Sequence, residues 1–219
     1  MFFKKSSISD LRVLYNPEDI KKRIKIVVID DDEVSFPYKM LQDSGYTIEW
    51  WEKIDDKRLD RLERNQFDII ILDINNITDQ SISSKDGIGI LERLKYVNPY
   101  QIIVAFSGRE YDIETTSFFK MADDHLKKPV DFVRAKDLID RIIEQKINLP
   151  YLWSSVEQFL NKEGVDKKKI NKIENEIINS IKNKRNINFT KISDKILQGG
   201  ELGIKITSLL IKIMAIIGI

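Results

Sequence analysis

The strongest constraint on the fold is a set of short, β-branched apolar runs that recur along the first two-thirds of the chain. Ile24-Lys25-Ile26-Val27-Val28-Ile29 is the first, and the stretches Phe67 to Leu72 and Gln101 to Phe106 follow. A weaker run lies at His125-Leu126, and Gly45-Tyr46-Thr47-Ile48 reads as a turn into a further strand. The intervening segments carry helical spacing, as in Ile88, Ile90, Leu91 and Leu94, or Val133, Leu138, Ile139, Ile142 and Ile143. Short strands alternating with helices describe βαβ units, whose right-handed crossovers put helices on both faces of a parallel sheet. Strands covered on both faces are apolar throughout, as these are. The expected fold class is α/β, a doubly wound sheet of five parallel strands between Ile24 and Lys146.

Residues 1–23 read as an N-terminal extension, with a helix starting at Asn16-Pro17-Glu18-Asp19 and no apolar stretch long enough for a signal peptide. After Lys146, Asn148-Leu149-Pro150 reads as a linker. Residues 151–219 then show helical spacing only: Leu152, Val156, Phe159 and Leu160 in one helix, and Ile170, Ile173, Ile177, Ile178 and Ile181 in a second capped by Asp166. Gly164, Asn188-Phe189-Thr190 and Gly199-Gly200 read as breaks.

Composition narrows the chemistry. The chain has no cysteine and one histidine, His125, among 219 residues. Disulfides, thiolate metal sites and two-histidine metal sites are excluded, and a Ser-His-Asp triad would depend on His125 alone. The net charge of +1 advertises no nucleic-acid partner, and the absence of cysteine fits a cytoplasmic chain. What remains is chemistry by carboxylates, hydroxyls and lysines.

In an open parallel sheet such chemistry collects at the carboxyl ends of the strands. The first run ends in Asp30-Asp31, the third in Asp73, the fourth in Ser107-Gly108, and the last in Lys127-Lys128-Pro129. Clustered carboxylates repel unless a cation sits among them, and Mg2+ is the hard ion that accepts carboxylate oxygens together with phosphate oxygens. A lysine and a hydroxyl beside it can hold the other oxygens of a phosphoryl group, leaving one carboxylate as nucleophile.

These residues carry a resemblance. Ile26 to Glu33, Asp68 to Ile74, Val104 to Gly108 and Ala122 to Asp131 resemble, in order and separation, the receiver domain of two-component response regulators. The resemblance covers residues 24–146 and implies a flavodoxin-like sheet of order 2-1-3-4-5. It implies Asp73 as phosphoacceptor and a non-enzymatic signalling role, with a histidine kinase or phosphotransfer protein as donor. Mg2+ would be held by Asp30, Asp31, Asp73 and the backbone carbonyl of Asn75. Ser107 and Lys128 would contact the phosphoryl group, with Ser107 and His125 at the switch positions and a cis bond between Lys128 and Pro129.

Two departures from the family pattern stand out. Ile77 occupies the position of a usual proline, and Asp86-Gly87 arrives only after the polar stretch Thr78 to Lys85. His125 stands where the family often has Tyr or Phe, which makes signalling sensitive to pH near neutrality. The long loop keeps open a pseudo-receiver that signals without phosphate. The run Val27 to Val34 also resembles the opening of haloacid-dehalogenase-like phosphatases, with Asp30 as nucleophile; Asp73 would then be unexplained.

The C-terminal part, residues 151–219, carries +5 against −4 for residues 1–150. Its lysine runs are read as solvated faces rather than a nucleic-acid surface, since aromatic interleaving and a helix-turn-helix signature are missing. Residues 202–219 are the most apolar stretch, with Lys205, Ser208 and Lys212 on one helical face. A buried or oligomer-forming helix is preferred there over membrane contact, because two lysines at bilayer depth are costly. The expected output is protein–protein contact or self-association through residues 151–219, and the run also permits a chain cut short within it.

Overall fold

The computed structural model describes residues 7–8, 17–108, 119–183, 189, 192 and 200–217. Helix α1 (Pro17–Arg23) starts at its proline and ends in Lys21, Lys22 and Arg23, basic residues at the negative end of the helix dipole. The apolar runs become strands β1 (Lys25–Ile29), β2 (Thr47–Trp51), β3 (Ile69–Asp73), β4 (Ile102–Ser107) and β5 (Asp124–Lys127). All are parallel, in the order β2-β1-β3-β4-β5. The fold is flavodoxin-like, as expected.

Burial follows position in that order. Every residue of the central strands β3 and β4 is buried, whereas β5, at one edge, alternates between half-buried and exposed. On one face Val27, Ile29, Ile70, Leu72, Ile103 and Ala105 form a core with Leu59 and Leu62 of α3 (Asp56–Glu63) and Ile90, Leu91 and Leu94 of α4 (Asp86–Val97). The alternate residues Ile26, Val28, Ile69, Ile71, Ile102 and Val104 point the other way and are equally buried. Helix α2 (Tyr38–Asp43) follows β1 through a short 3-10 turn at Glu33–Ser35, which Asp32 caps by accepting a bond from the Val34 N–H. Trp51 is buried and Trp50 half-buried.

Helix α5 (Phe132–Lys146) closes the α/β part of the sequence. The Asn148-Leu149-Pro150 stretch is not a loose linker. Leu149 and Pro150 open α6 (Leu149–Lys162), and Asn148 caps both helix ends. Its amide donates to the Glu144 and Gln145 carbonyls at 3.0 Å each, and its side-chain oxygen accepts from the Tyr151 N–H at 2.9 Å. Helix α7 (Lys167–Lys182) is capped by Asp166, and α8 (Gly200–Ile217) completes the described elements. Ile206, Leu210 and Met214 of α8 are buried at successive turns in a core with Trp153, Val156 and Leu160 of α6 and Ile170, Ile173, Ile177 and Ile178 of α7. Ile8 belongs to the same core, and the Glu174 carboxylate accepts from the Ser7 hydroxyl at 2.9 Å and the Ile8 N–H at 3.0 Å. The side chains of Lys205, Ser208 and Lys212 lie outside the described set, as do Asn188 and Thr190. Among the described residues no helix is long and apolar enough to cross a membrane.

The chain divides into two compact units, Lys21–Asp140 and Met1–Ile20 together with Arg141–Ile219. The first carries the whole sheet.

Candidate functional site

The register of the sheet assembles the site. Ile29 pairs with Leu72, so Asp30 and Asp73 both stand one residue further on. Asp73 pairs with Phe106, which puts Ser107 one step beyond, and Ser107 pairs with Lys127, which puts Lys128 one step beyond that. Four residues far apart in sequence are thus delivered to one sheet edge by backbone ladders alone.

The side chains of Asp30, Asp73 and Lys128 meet there. The Lys128 ammonium lies 2.6 Å from Asp30 Oδ1 and 2.7 Å from Asp73 Oδ2, bridging the two. Asp30, Asp31 and Asp73 each offer an oxygen within 4.8 Å of the others. Asp30 is fully buried and Asp73 is 4% exposed, whereas Asp31 is exposed. Asp30 is satisfied on both oxygens: besides Lys128, Oδ1 accepts from the Asp32 N–H at 2.9 Å and Oδ2 from the Ser35 hydroxyl at 2.5 Å. Asp73 Oδ1 accepts from the Ile74 N–H at 2.7 Å. Under Lys128 lies the Phe106 ring, 5.1 Å from the ammonium, which meets Phe36 edge-on.

Burial raises the pKa of Asp73, and the bonds from Lys128 and Ile74 only partly offset it. For Lys128 burial acts downward, but the bonds to Asp30 and Asp73 outweigh it, so its pKa is raised and the ammonium is held. Three carboxylates facing one ammonium leave two negative charges at the sheet edge. A divalent cation fits that donor set: hard oxygens, a formal deficit of two charges, and one carboxylate open to solvent.

Ser107 is buried, and its carbonyl accepts from the Lys128 N–H at 3.1 Å, next to the cis Lys128–Pro129 bond. Asn75 follows Asp73 in the same loop, half-buried. His125 is not brought to the cluster: it is exposed on β5, its ring packing edge-on against Phe119 at 5.9 Å.

Four contributors went unassigned on sequence grounds. Ser35 holds Asp30, and its carbonyl accepts from the Val130 N–H at 3.1 Å. The side-chain amide of Asn76 donates to Asp31 Oδ2 at 3.1 Å. Asp86 accepts from the backbone N–H groups of Asn76, Ile77 and Thr78. Gly87 donates to the Ile74 carbonyl at 2.9 Å, and a Cβ at that position would stand 2.1 Å from the Asp73 carbonyl oxygen, so only glycine fits. The displaced Asp86-Gly87 pair was the one signal of these visible in the sequence.

No protein-family model matches the chain, and no curated protein does. Solved structures do. A two-component response regulator from Clostridium difficile is similar at 20% identity and a TM-score of 0.44, over 56% of this chain and 97% of that one. Chemotaxis protein CheY4 of Vibrio cholerae is similar at 22% identity and a TM-score of 0.42, over 54% of this chain and 98% of its own. The receiver domain of NtrX from Brucella abortus is similar at 22% identity and a TM-score of 0.45, over 55% and 98%. These similar structures are response-regulator receiver domains. At such identities the likeness is one of fold, over little more than half of this chain.

Proposed function

We propose that residues 24–146 form a phosphorylatable receiver in which Asp73 accepts a phosphoryl group from the phosphohistidine of a partner kinase or phosphotransfer protein. The observation that carries this reading is the Lys128 ammonium bridging buried Asp30 and Asp73, with Asp31 within reach of both. A bare strand-end acidic turn has no need of a half-buried lysine drawn to it from a loop more than fifty residues further along the chain.

An Asp73 oxygen attacks phosphorus as the P–N bond of the donor breaks, and the imidazole leaves with the electron pair and takes a proton. Lys128, already poised on Asp73, pairs with a phosphoryl oxygen as negative charge leaves the carboxylate. Ser107 is in register to donate its hydroxyl to another. Asp30, Asp31, Asp73 and the Asn75 carbonyl would hold Mg2+, with Asp30 also anchoring Lys128; the ion would neutralise charge on the phosphoryl oxygens. The sequence's one histidine, His125, packs against Phe119 on β5, so the donor histidine is read as a partner's. Phosphorylation would be relayed to residues 151–219, whose output is protein–protein contact in the cytoplasm.

The test is incubation of the full chain with Mg2+ and acetyl phosphate, followed by peptide mass spectrometry. Label on Asp73 that is lost in Asp73→Ala supports a receiver. A folded protein that takes no label is a pseudo-receiver, and label on Asp30 with turnover of phosphate esters makes it a phosphatase.

A further inference from the structure

We infer that Asn76 is a positioning residue for Asp31, and that Asp86 is the clasp that holds Asn76 in place. The inference rests on the cation site proposed above and names what sets its geometry. Asp30 and Asp73 are buried and fixed by several donors each, so their oxygens have little freedom. Asp31 is exposed, and its one bond among the described residues comes from the Asn76 amide at 3.1 Å. An exposed carboxylate without that bond samples several rotamers, of which few aim at the other two.

Asn76 reaches Asp31 because its backbone is left-handed, with φ 59°, a conformation that asparagine tolerates better than most residues. That conformation is secured by Asp86. One oxygen of its carboxylate takes the Asn76 N–H, and the other takes the Ile77 and Thr78 N–H groups at 3.1 Å each. Three successive N–H groups converging on one carboxylate form an anion-binding turn built from the chain's own side chain. Asp86 is itself left-handed at φ 50°, and Gly87 behind it is wedged against the Asp73 carbonyl. Ile77 is fully buried and its carbonyl accepts from the Ile54 N–H at 2.6 Å, so the clasped segment is anchored on both sides. Asp86, Asn76 and Asp31 thus form a chain of bonds from the base of the long loop to the open carboxylate of the site.

Three single variants of the full chain and one double variant test this by Mn2+ binding, read from free Mn2+ by electron paramagnetic resonance with Mg2+ as competitor. Asn76→Gly keeps the left-handed backbone and removes only the amide; it is expected to weaken cation binding about ten-fold, as loss of a partner that orients a ligand does. Asp86→Asn keeps one acceptor oxygen for Ile77 and Thr78 but turns a donor toward the Asn76 N–H; it is expected to weaken binding similarly. Together the two are expected to cost no more than one, because they act through the same bond. Asn76→Asp adds a fourth carboxylate and is expected to strengthen binding, a direction that a folding defect would not give. Binding by Asn76→Gly and Asp86→Asn within about two-fold of the unmodified chain overturns the inference while leaving the receiver reading intact. An unmodified chain that takes no Mn2+ or Mg2+ overturns both.

Discussion

The two units bury different things. The sheet unit buries Asp30, Ser35, Asp68, Asp73, Asn98, Gln101 and Ser107 along with its apolar core. In the helical unit the described core is isoleucine, leucine, valine, methionine and Trp153, with Ser180 the one buried polar residue among those described. Apolar burial specifies a shape and asks nothing of chemistry. Buried charge costs stability unless paired, so its presence marks where a fold has been bent to a task. In the sheet unit two of the buried carboxylates, Asp30 and Asp73, share one lysine at the carboxyl ends of the strands, and the helical core holds no such group among its described residues.

That contrast predicts separable damage. The largest effect is expected from Trp153→Ala, about 4 kcal/mol from cavity formation in the helical core. Thermal melting should lose the helical unit while acetyl phosphate labelling of Asp73 persists; loss of both together would show that the units do not unfold independently. Next is Lys128→Ala, which leaves Asp30 and Asp73 facing each other unpaired. Urea unfolding should report a loss of about 3 kcal/mol, and labelling should fail even in the folded protein. Asn148→Ala removes caps from two helix ends at once and is expected to cost about 1 kcal/mol, with labelling unchanged.

The smallest effect, and the one of opposite sign, is expected from Asp73→Asn. Burial raises the Asp73 pKa, so the fold favours its protonated form. Its contribution to stability is therefore full below the unfolded carboxylate pKa of about 3.9 and is lost as pH rises through the raised folded value. Asp73→Asn removes that slope, so urea midpoints measured between pH 4 and 8 should fall less steeply with pH than in the unmodified chain. At neutral pH the variant should be slightly the more stable. Lys128 does not confuse the measurement: its pKa is raised too, and its contribution is lost only as pH climbs past the lysine range.

How much of this was written in the sequence depends on what kind of order held it. The sheet was legible because its strands are unbroken apolar runs that each stop at a polar residue, and parallel register converts those stops into one edge. Strand β5 was faint because an edge strand buries only every second residue, leaving Leu126 as its single apolar member. Asp30, Asp31, Asp73, Ser107 and Lys128 were found as a set, since each sits at a strand end. Asn76 was not, because its place depends on a left-handed backbone and on three N–H groups gathered by Asp86, neither of which leaves a periodic trace. The Asn148-Leu149-Pro150 joint was misread for a related reason: proline suggests a break, but at the first turn of a helix it opens one. In the helical unit Val156, Leu160, Ile170, Ile173, Ile177 and Ile178 were legible as core from helical spacing, whereas Trp153 was not, and that spacing carries no word about what its surfaces meet.

The Asp86 clasp has a consequence for how this chain tolerates change. It closes the loop at its base, fixing Asn76 to Thr78 on one side and Gly87 on the other. Within the loop Ile82 packs on the sheet core and the Ser83 hydroxyl donates to the Asp86 carbonyl at 2.9 Å, which leaves exposed Gln80 and Ser81 as a tip between two held ends. Each doubling of such a loop costs about 0.6 kcal/mol in closure entropy. Strands admit no such liberty, since one added residue would turn the next side chain to the opposite face. The tip at Gln80 and Ser81 is therefore the place beside the site where a spliced-in reporter peptide is expected to leave Asp86 and its bonds in place.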